Sequence, residues 1–244
     1  MPFTYRAPYC TSMRSHDRAI ATIVLPAVLL CIALASTGCG GWDSKPAAAN
    51  EAGAAGANYT RRFTDSDLGM QLLQRGAVPT GLVGSQSFLM PNDVVAKLLP
   101  DERTARESME KFGRVQGAAV DYRLAGQPRA SEQVVAIVST VSWYSTIGGA
   151  QSVVADPTME LALQGFGFNT SEISADKIAQ QSRAFRGLRA GDTPDLASYV
   201  VVYRRDNLIG VVVVVVRTAT DDGGRLAMNL ARRQANLPLP AVAK

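Results

Sequence analysis

Leu208-Ile-Gly-Val-Val-Val-Val-Val-Val-Arg217 carries six valines in a row. Branching at Cβ stiffens χ1 and suits the pleated backbone of a strand. A strand with one wet face alternates apolar and polar residues, and this one does not. It is therefore predicted to be buried on both faces, central in a sheet covered by helices. Leu208 to Val216 is nine residues, too short for a membrane helix, which needs about 20. Just upstream, Tyr199-Val-Val-Val-Tyr-Arg204 reads as the partner strand. Asp206-Asn207 between the two suit a two-residue turn, because Asp and Asn tolerate positive φ.

Other segments agree with this pattern. Arg114 to Leu124 and Val134 to Ser145 read as strands separated by the turn-rich residues 125–129. In the second, Val135, Ile137, Val141 and Trp143 share one face, with Thr140, Ser142 and Tyr144 on the other. Trp143 and Tyr144 are expected to be one core residue and one partly exposed residue. Helices are predicted from Ser66 to Gln74 with a Ser66 or Asp67 cap, and from Asn92 to Leu99 capped by Asn92. A solvent-facing helix is predicted from Asp101 to Phe112, and another from Ala175 to Arg183 opened by Ser174. Val134 to Ser145 precedes Gly148-Gly149, and Leu208 to Ala219 precedes Gly223-Gly224, an offset of about 75 residues. Each has a strand before it and a helix predicted after it, near Ala150 to Ala155 and Arg225 to Asn236. The expectation is an α+β fold: a single domain over residues 61–240, with an antiparallel sheet covered by helices and two strand-strand-helix units.

The first 60 residues have a different character. Arg14 and Arg18 precede an apolar run of 17 residues, Ala19 to Ala35, and the small residues Ser36-Thr37-Gly38 follow. A basic start, an apolar middle and small residues at a cleavage point make an export signal over residues 1–38, with translation starting at Met13 as the compact form. Residues 39–60 are rich in alanine and glycine and lack apolar periodicity. A coil of that composition has an r.m.s. reach of about 25 Å.

Ser36-Thr37-Gly38-Cys39 behind such a signal resembles the lipobox of exported bacterial lipoproteins, differing at Ser36, where that family usually has leucine. The resemblance implies cleavage after Gly38 and a diacylglyceryl group on Cys39. Two other readings stand beside it. Cleavage after Ala35, an A-x-A site, would release a soluble chain, and an uncut segment would remain as an anchor. Two further stretches are similar to the same lipoproteins. Ala77-Val-Pro-Thr-Gly-Leu82 resembles a Leu-Pro-x-Gly segment. Gly191-Asp192 with Tyr199 to Ile209 resembles a Gly-Asp…Phe-Arg-x-Gly-Asn pattern, with Tyr203 for Phe and Asp206 for Gly. The chain is also similar to the PsbP/Mog1-like sheet fold of some envelope lipoproteins. No catalytic residue comes with the resemblance.

Composition removes whole classes of chemistry. The cysteines are Cys10, Cys31 and Cys39, and the one histidine is His16. A chain beginning at Cys39 keeps one cysteine and no histidine, so it has no intramolecular disulfide, Cys-His zinc site, Ser-His-Asp triad or Cys-His dyad. It also keeps 22 basic and 20 acidic side chains, which makes no case for nucleic acid. Ser174-Ala-Asp-Lys177 has the Ser-x-x-Lys spacing of acylating enzymes but lacks their companion motifs. Gly165-Phe-Gly167 is no nucleotide site, and the sequons at Asn58 and Asn169 mean little in a bacterial lipoprotein. Arg204, Arg205 and Asp206 crowd a predicted hairpin tip, and Arg183, Arg186 and Arg189 a predicted linker. Paired carboxylates among Asp121, Asp192 and Asp195 would point to a histidine-free hydrolase.

The reading is a non-enzymatic, lipid-anchored envelope protein without cofactor or metal. It is expected to bind a lipid, another apolar ligand or an envelope protein, or to serve as an interaction module. Mass spectrometry of the N-terminal peptide is expected to find a diacylglyceryl group on Cys39; an unmodified Cys39 in a chain beginning at Ser36 would overturn this.

Overall fold

The computed structural model describes residues 60–125, 133–163, 170–189, 196–217 and 221–240. Eight strands form one antiparallel sheet: β1 (Leu82–Gly84), β2 (Phe88–Met90), β3 (Arg114–Leu124), β4 (Val134–Tyr144), β5 (Thr170–Ile173), β6 (Gln181–Arg189), β7 (Leu196–Arg205) and β8 (Leu208–Val216). They run across the sheet as β1-β3-β4-β8-β7-β6-β5, with β2 beside β1 on the outer side of β3. Six helices pack on it: α1 (Asp65–Met70), α2 (Asn92–Leu98), α3 (Glu102–Phe112), α4 (Ile147–Ala155), α5 (Thr158–Leu163) and α6 (Asp221–Ala235). This is the α+β single domain that the pattern predicts.

The valine strand is central and buried on both faces. Val212, Val214 and Val216 pack with Ala227, Leu230 and Ala231 of α6 and with Leu68 of α1. Val211 and Val213 point the other way, onto Ala150, Val153 and Val154 of α4. Near the β3 edge, on the α4 side, Met109, Val95 and Met159 from α3, α2 and α5 cover Ala119. At roughly 1.5–3 kcal/mol per fully buried valine, the alternating contacts of one strand tie together both helical layers.

Both strand-strand-helix units exist, as β3-β4-α4 and β7-β8-α6. Their strands β4 and β8 lie side by side from Val134↔Val216 to Trp143↔Leu208, but α4 and α6 cover opposite faces. Each glycine pair permits a close approach. A Cβ on Gly149 would sit 2.0 Å from the carbonyl oxygen of Phe112, and one on Gly223 2.5 Å from the Tyr199 ring. Tyr144 is the core residue of its pair with Trp143, which is partly buried.

Several local expectations change. Thr64, not Ser66 or Asp67, caps α1: its hydroxyl accepts from the Asp67 N–H at 3.2 Å, while the Asp67 carboxylate accepts from the Thr64 N–H at 2.8 Å. This reciprocal box satisfies two orphan donors at once. Asn92 is the first residue of α2 behind an N-cap at Pro91, because its side chain is held by Arg114 instead. Residues 174–178 are not helical, and the region expected to be a helix and then a linker is largely β6. The free edge of β7 explains it: Gln181↔Arg204 through Arg189↔Leu196 pair along the full length of β6, satisfying a ladder that a helix would leave open. Ile178 is buried just ahead of it.

The β7–β8 hairpin turns at Asp206-Asn207, with Arg205 opposite Leu208 and Asp206 at φ 53°. Asn207 has a second role. Its buried amide donates to the Tyr144 carbonyl at 2.7 Å and the Arg61 carbonyl at 2.8 Å, and accepts from the Arg61 N–H at 3.1 Å. The Arg61 guanidinium reaches Asp206 at 2.9 Å and the Pro240 carbonyl at 2.6 Å. Both ends of the domain are thus fastened to one hairpin tip. Asn207→Ala is expected to lower unfolding stability by about 2–4 kcal/mol, because it strands buried backbone groups; urea denaturation checks it, and a change under 1 kcal/mol would refute the role.

Candidate functional site

Cys39, Gly38 and Ser36 lie outside the described residues, as do Asp192, Asp195, Asn58, Asn169 and Gly165-Phe-Gly167. Among the described residues no helix is long and apolar enough to cross a membrane, and no cluster of three or more His, Cys, Asp and Glu side chains could hold a metal.

The predicted polar sites on the domain are occupied by the protein's own groups. Ser174 and Lys177 are exposed on a non-helical stretch, so the one-turn geometry that would make Lys177 a base for Ser174 is absent. Asp121 is paired with Arg123 at 2.6 Å. Arg183 makes a forked pair with Glu172, both contacts 2.8 Å, donates to the Ala155 carbonyl at 2.8 Å and lies over the Phe185 ring at 5.1 Å. Arg204 donates to Gln181 at 2.8 Å and Arg205 to the Leu237 carbonyl at 2.7 Å. Burial alone would raise the Asp206 carboxyl, but hydrogen bonds from Arg61 and Gln180 outweigh it and hold it below its ordinary range. These arginines brace the fold and do not assemble an anion site.

A polar cluster absent from the sequence reading sits inside the molecule. Arg114, the first residue of β3, is 4% exposed, and Glu160 of α5 is 1% exposed. Arg114 donates to the Asn92 side chain at 2.5 Å, the Met90 carbonyl at 3.1 Å and the Ser142 hydroxyl at 3.3 Å. Glu160 accepts from the Tyr144 phenol at 3.1 Å and is also hydrogen-bonded to Ser142. Burial raises the Glu160 carboxyl above its ordinary value, and Arg114, Tyr144 and Ser142 pull it only part of the way back. Burial likewise pushes the Tyr144 phenol well up, so it remains a donor. The cluster is closed to solvent and joins α2, α5, β3 and β4. It does structural work.

The surface is uneven. A furrow of about 560 Å³ runs between α1 with the following Leu72–Arg75 and the β1–β3 edge, past Asp65, Met70, Ser85, Ser87 and Tyr122. It continues as a smaller hollow of about 280 Å³ along Phe88, Leu89 and Ala118. Both are open to solvent. Tyr122 forms part of the wall and donates its hydroxyl to the Leu73 carbonyl at 2.6 Å. The exposed large apolar side chains are Met70, Val83, Phe88, Leu89, Val94, Leu98 and Val115, each at least 40% exposed, and of these Met70, Phe88 and Leu89 line the two hollows. None comes from the described residues beyond 115. Sequence reasoning missed this edge because β1 and β2 are three residues each, too short for a periodicity to show.

No protein-family model matches the chain, and no curated protein sequence matches it. Among solved structures it is similar to the extracellular domain of PknH from Mycobacterium tuberculosis, at 10% identity, over 72% of this chain and 98% of that one, with a TM-score of 0.48. A likeness of that size assigns neither family nor function. The lipoprotein and PsbP/Mog1-like resemblances gain no match from these comparisons.

The Glu160 environment carries a testable pH dependence. Its folded value lies above the unfolded one of about 4.5, so between the two the folded chain binds the proton more tightly. Stability from this group is full below the unfolded value and is lost as pH rises through the folded one. Wild type is therefore expected to lose stability relative to Glu160→Gln as pH rises from about 4.5 toward neutrality. Urea melts of both proteins across that range test it, and a relative gain by wild type would show that the attraction of Arg114 dominates.

Proposed function

We propose that this protein is a non-enzymatic envelope module, held at a membrane through Cys39, that works by surface contact and not by enclosing a ligand. The observation that carries the reading is the distribution of apolar side chains. Apolar clusters pack both faces of the sheet, whereas the exposed large apolar residues come from α1, β1, β2, α2 and the start of β3. Scattered single apolar residues are ordinary on a protein surface, but a contiguous group marks an interaction site. An enclosed lipid or other apolar ligand would need a deep chamber lined by such residues, and the furrow beside α1 is open and partly polar. A hydrolase reading has little support, since the one described member of the Asp121, Asp192 and Asp195 set is paired with Arg123.

Native mass spectrometry of the mature protein, extracted gently from its own membrane, tests the proposal. The expected mass is that of the chain with the acyl groups on Cys39 and no stoichiometric small molecule. A stoichiometric lipid retained in addition to the covalent one would restore the ligand-binding reading.

A further inference from the structure

We propose that residues 237–240 form a strap that latches residues 61–63 onto the β7–β8 turn, and so guards the peptide bonds after Arg61 and Arg62 from an arginine-specific protease. Asn207 takes both backbone groups of Arg61, accepting from its N–H at 3.1 Å and donating to its carbonyl at 2.8 Å. The Arg61 guanidinium rests on Asp206 at 2.9 Å and on the Pro240 carbonyl at 2.6 Å. Arg62 is exposed. Phe63 behind it is 6% exposed, with its ring 6.0 Å from that of Trp143. Two consecutive arginines therefore sit where the chain enters the domain, one of them exposed and the other fully engaged.

The site is closed while the strap is seated. A protease binds its substrate as an extended strand whose backbone N–H and C=O groups bond to the enzyme. One that selects arginine also seats the guanidinium on a carboxylate of its own. Cleavage after Arg61 needs the guanidinium that Asp206 holds and the carbonyl that Asn207 holds. Cleavage after Arg62 needs Arg61 and Phe63 drawn out of their places as well. The strap is the part that can lift. It belongs to no strand or helix. Its carbonyls at Leu237, Pro238 and Pro240 accept from the side chains of Arg205, Gln71 and Arg61, and Leu239 packs on the core from a partly buried position. Segments held by side-chain contacts alone open locally before the whole domain unfolds. Lifting this one removes one of the acceptors of the Arg61 guanidinium. In the opened segment water adds to the carbonyl carbon of Arg61 or Arg62 and the C–N bond to the next residue breaks. One product leaves as a carboxylate, and the other takes the proton on its new amino group. The cut parts the domain from everything N-terminal to it, so the strap governs whether the module stays attached, whatever group Cys39 carries.

Limited digestion of the full chain with trypsin tests the proposal. At low protease the initial rate follows the population of the opened segment. Mass spectrometry counts products that begin at Arg62 or Phe63, and cleavage after Lys97 and Lys111, exposed on α2 and α3, reports opening of the domain as a whole. Three proteins are compared: the intact chain, a chain ending at Leu237, and Leu239→Ala, which loosens the strap and leaves its carbonyls in place. Ending the chain at Leu237 is expected to speed the cut after Arg61 or Arg62 about ten-fold or more, as loss of a charged hydrogen bond implies. Leu239→Ala is expected to speed it less, with cleavage after Lys97 and Lys111 unchanged. An unchanged rate in both variants overturns the latch. A parallel rise at Lys97 and Lys111 in Leu239→Ala also overturns it, because the strap would then serve only global stability. So does an intact chain cut after Arg61 or Arg62 as fast as an unfolded peptide of the same sequence.

Discussion

Burial of β8 on both faces is the constraint around which the molecule is organised. A strand of six valines presents apolar surface above and below the sheet, and neither side tolerates water. Two layers of helix are therefore required, and the chain supplies one from each unit: α4 over Val211 and Val213, and α6 with α1 over Val212, Val214 and Val216. Backbone pairing on either side completes the requirement, with β4 along one edge and β7 along the other. Once these contacts form, both faces of the central strands are covered.

The polar interior has a different purpose. Arg114, Ser142, Glu160 and Tyr144 hold α2 and α5 to the start of β3 and the end of β4, and Asn207 with Arg61 clamps the chain ends to the β7–β8 turn. Such groups are costly to bury and are tolerated only where they are bonded. They specify which helix end meets which strand end, which apolar packing alone leaves loosely determined. Arg183, Arg204 and Arg205, which look free in the sequence, are engaged in such bracing.

The parts of the fold legible in the sequence are those whose signal is local. The β7–β8 hairpin announces itself through two apolar runs and a two-residue Asp-Asn turn. The two-face burial of β8 follows from its lack of alternation, and α3 follows from its charge and its few apolar positions. β6 is the instructive failure. Gln181 to Arg189 contains three arginines and no clear alternation, so nothing local favours a strand; the unpaired edge of β7 does. The caps of α1 and α2 fail for a related reason, since Thr64 and Asn92 are assigned by which partner lies within reach. The apolar residues of β1 and β2 were hidden for a third reason: the two strands are three residues each, too short for a periodicity to show.

By itself, the sequence determined that this chain is an α+β domain with a fully buried central strand, behind an export-like segment, with one cysteine and no histidine from residue 39 onward. Those conclusions need only composition, spacing and the period of apolar residues. The tertiary structure alone decided that α4 and α6 lie on opposite faces, that Glu160 is buried beside Arg114, and that Met70, Leu89 and Phe88 remain exposed. The physical reason is that burial belongs to a residue's surroundings: whether an apolar side chain is core or contact surface depends on what the rest of the chain places over it.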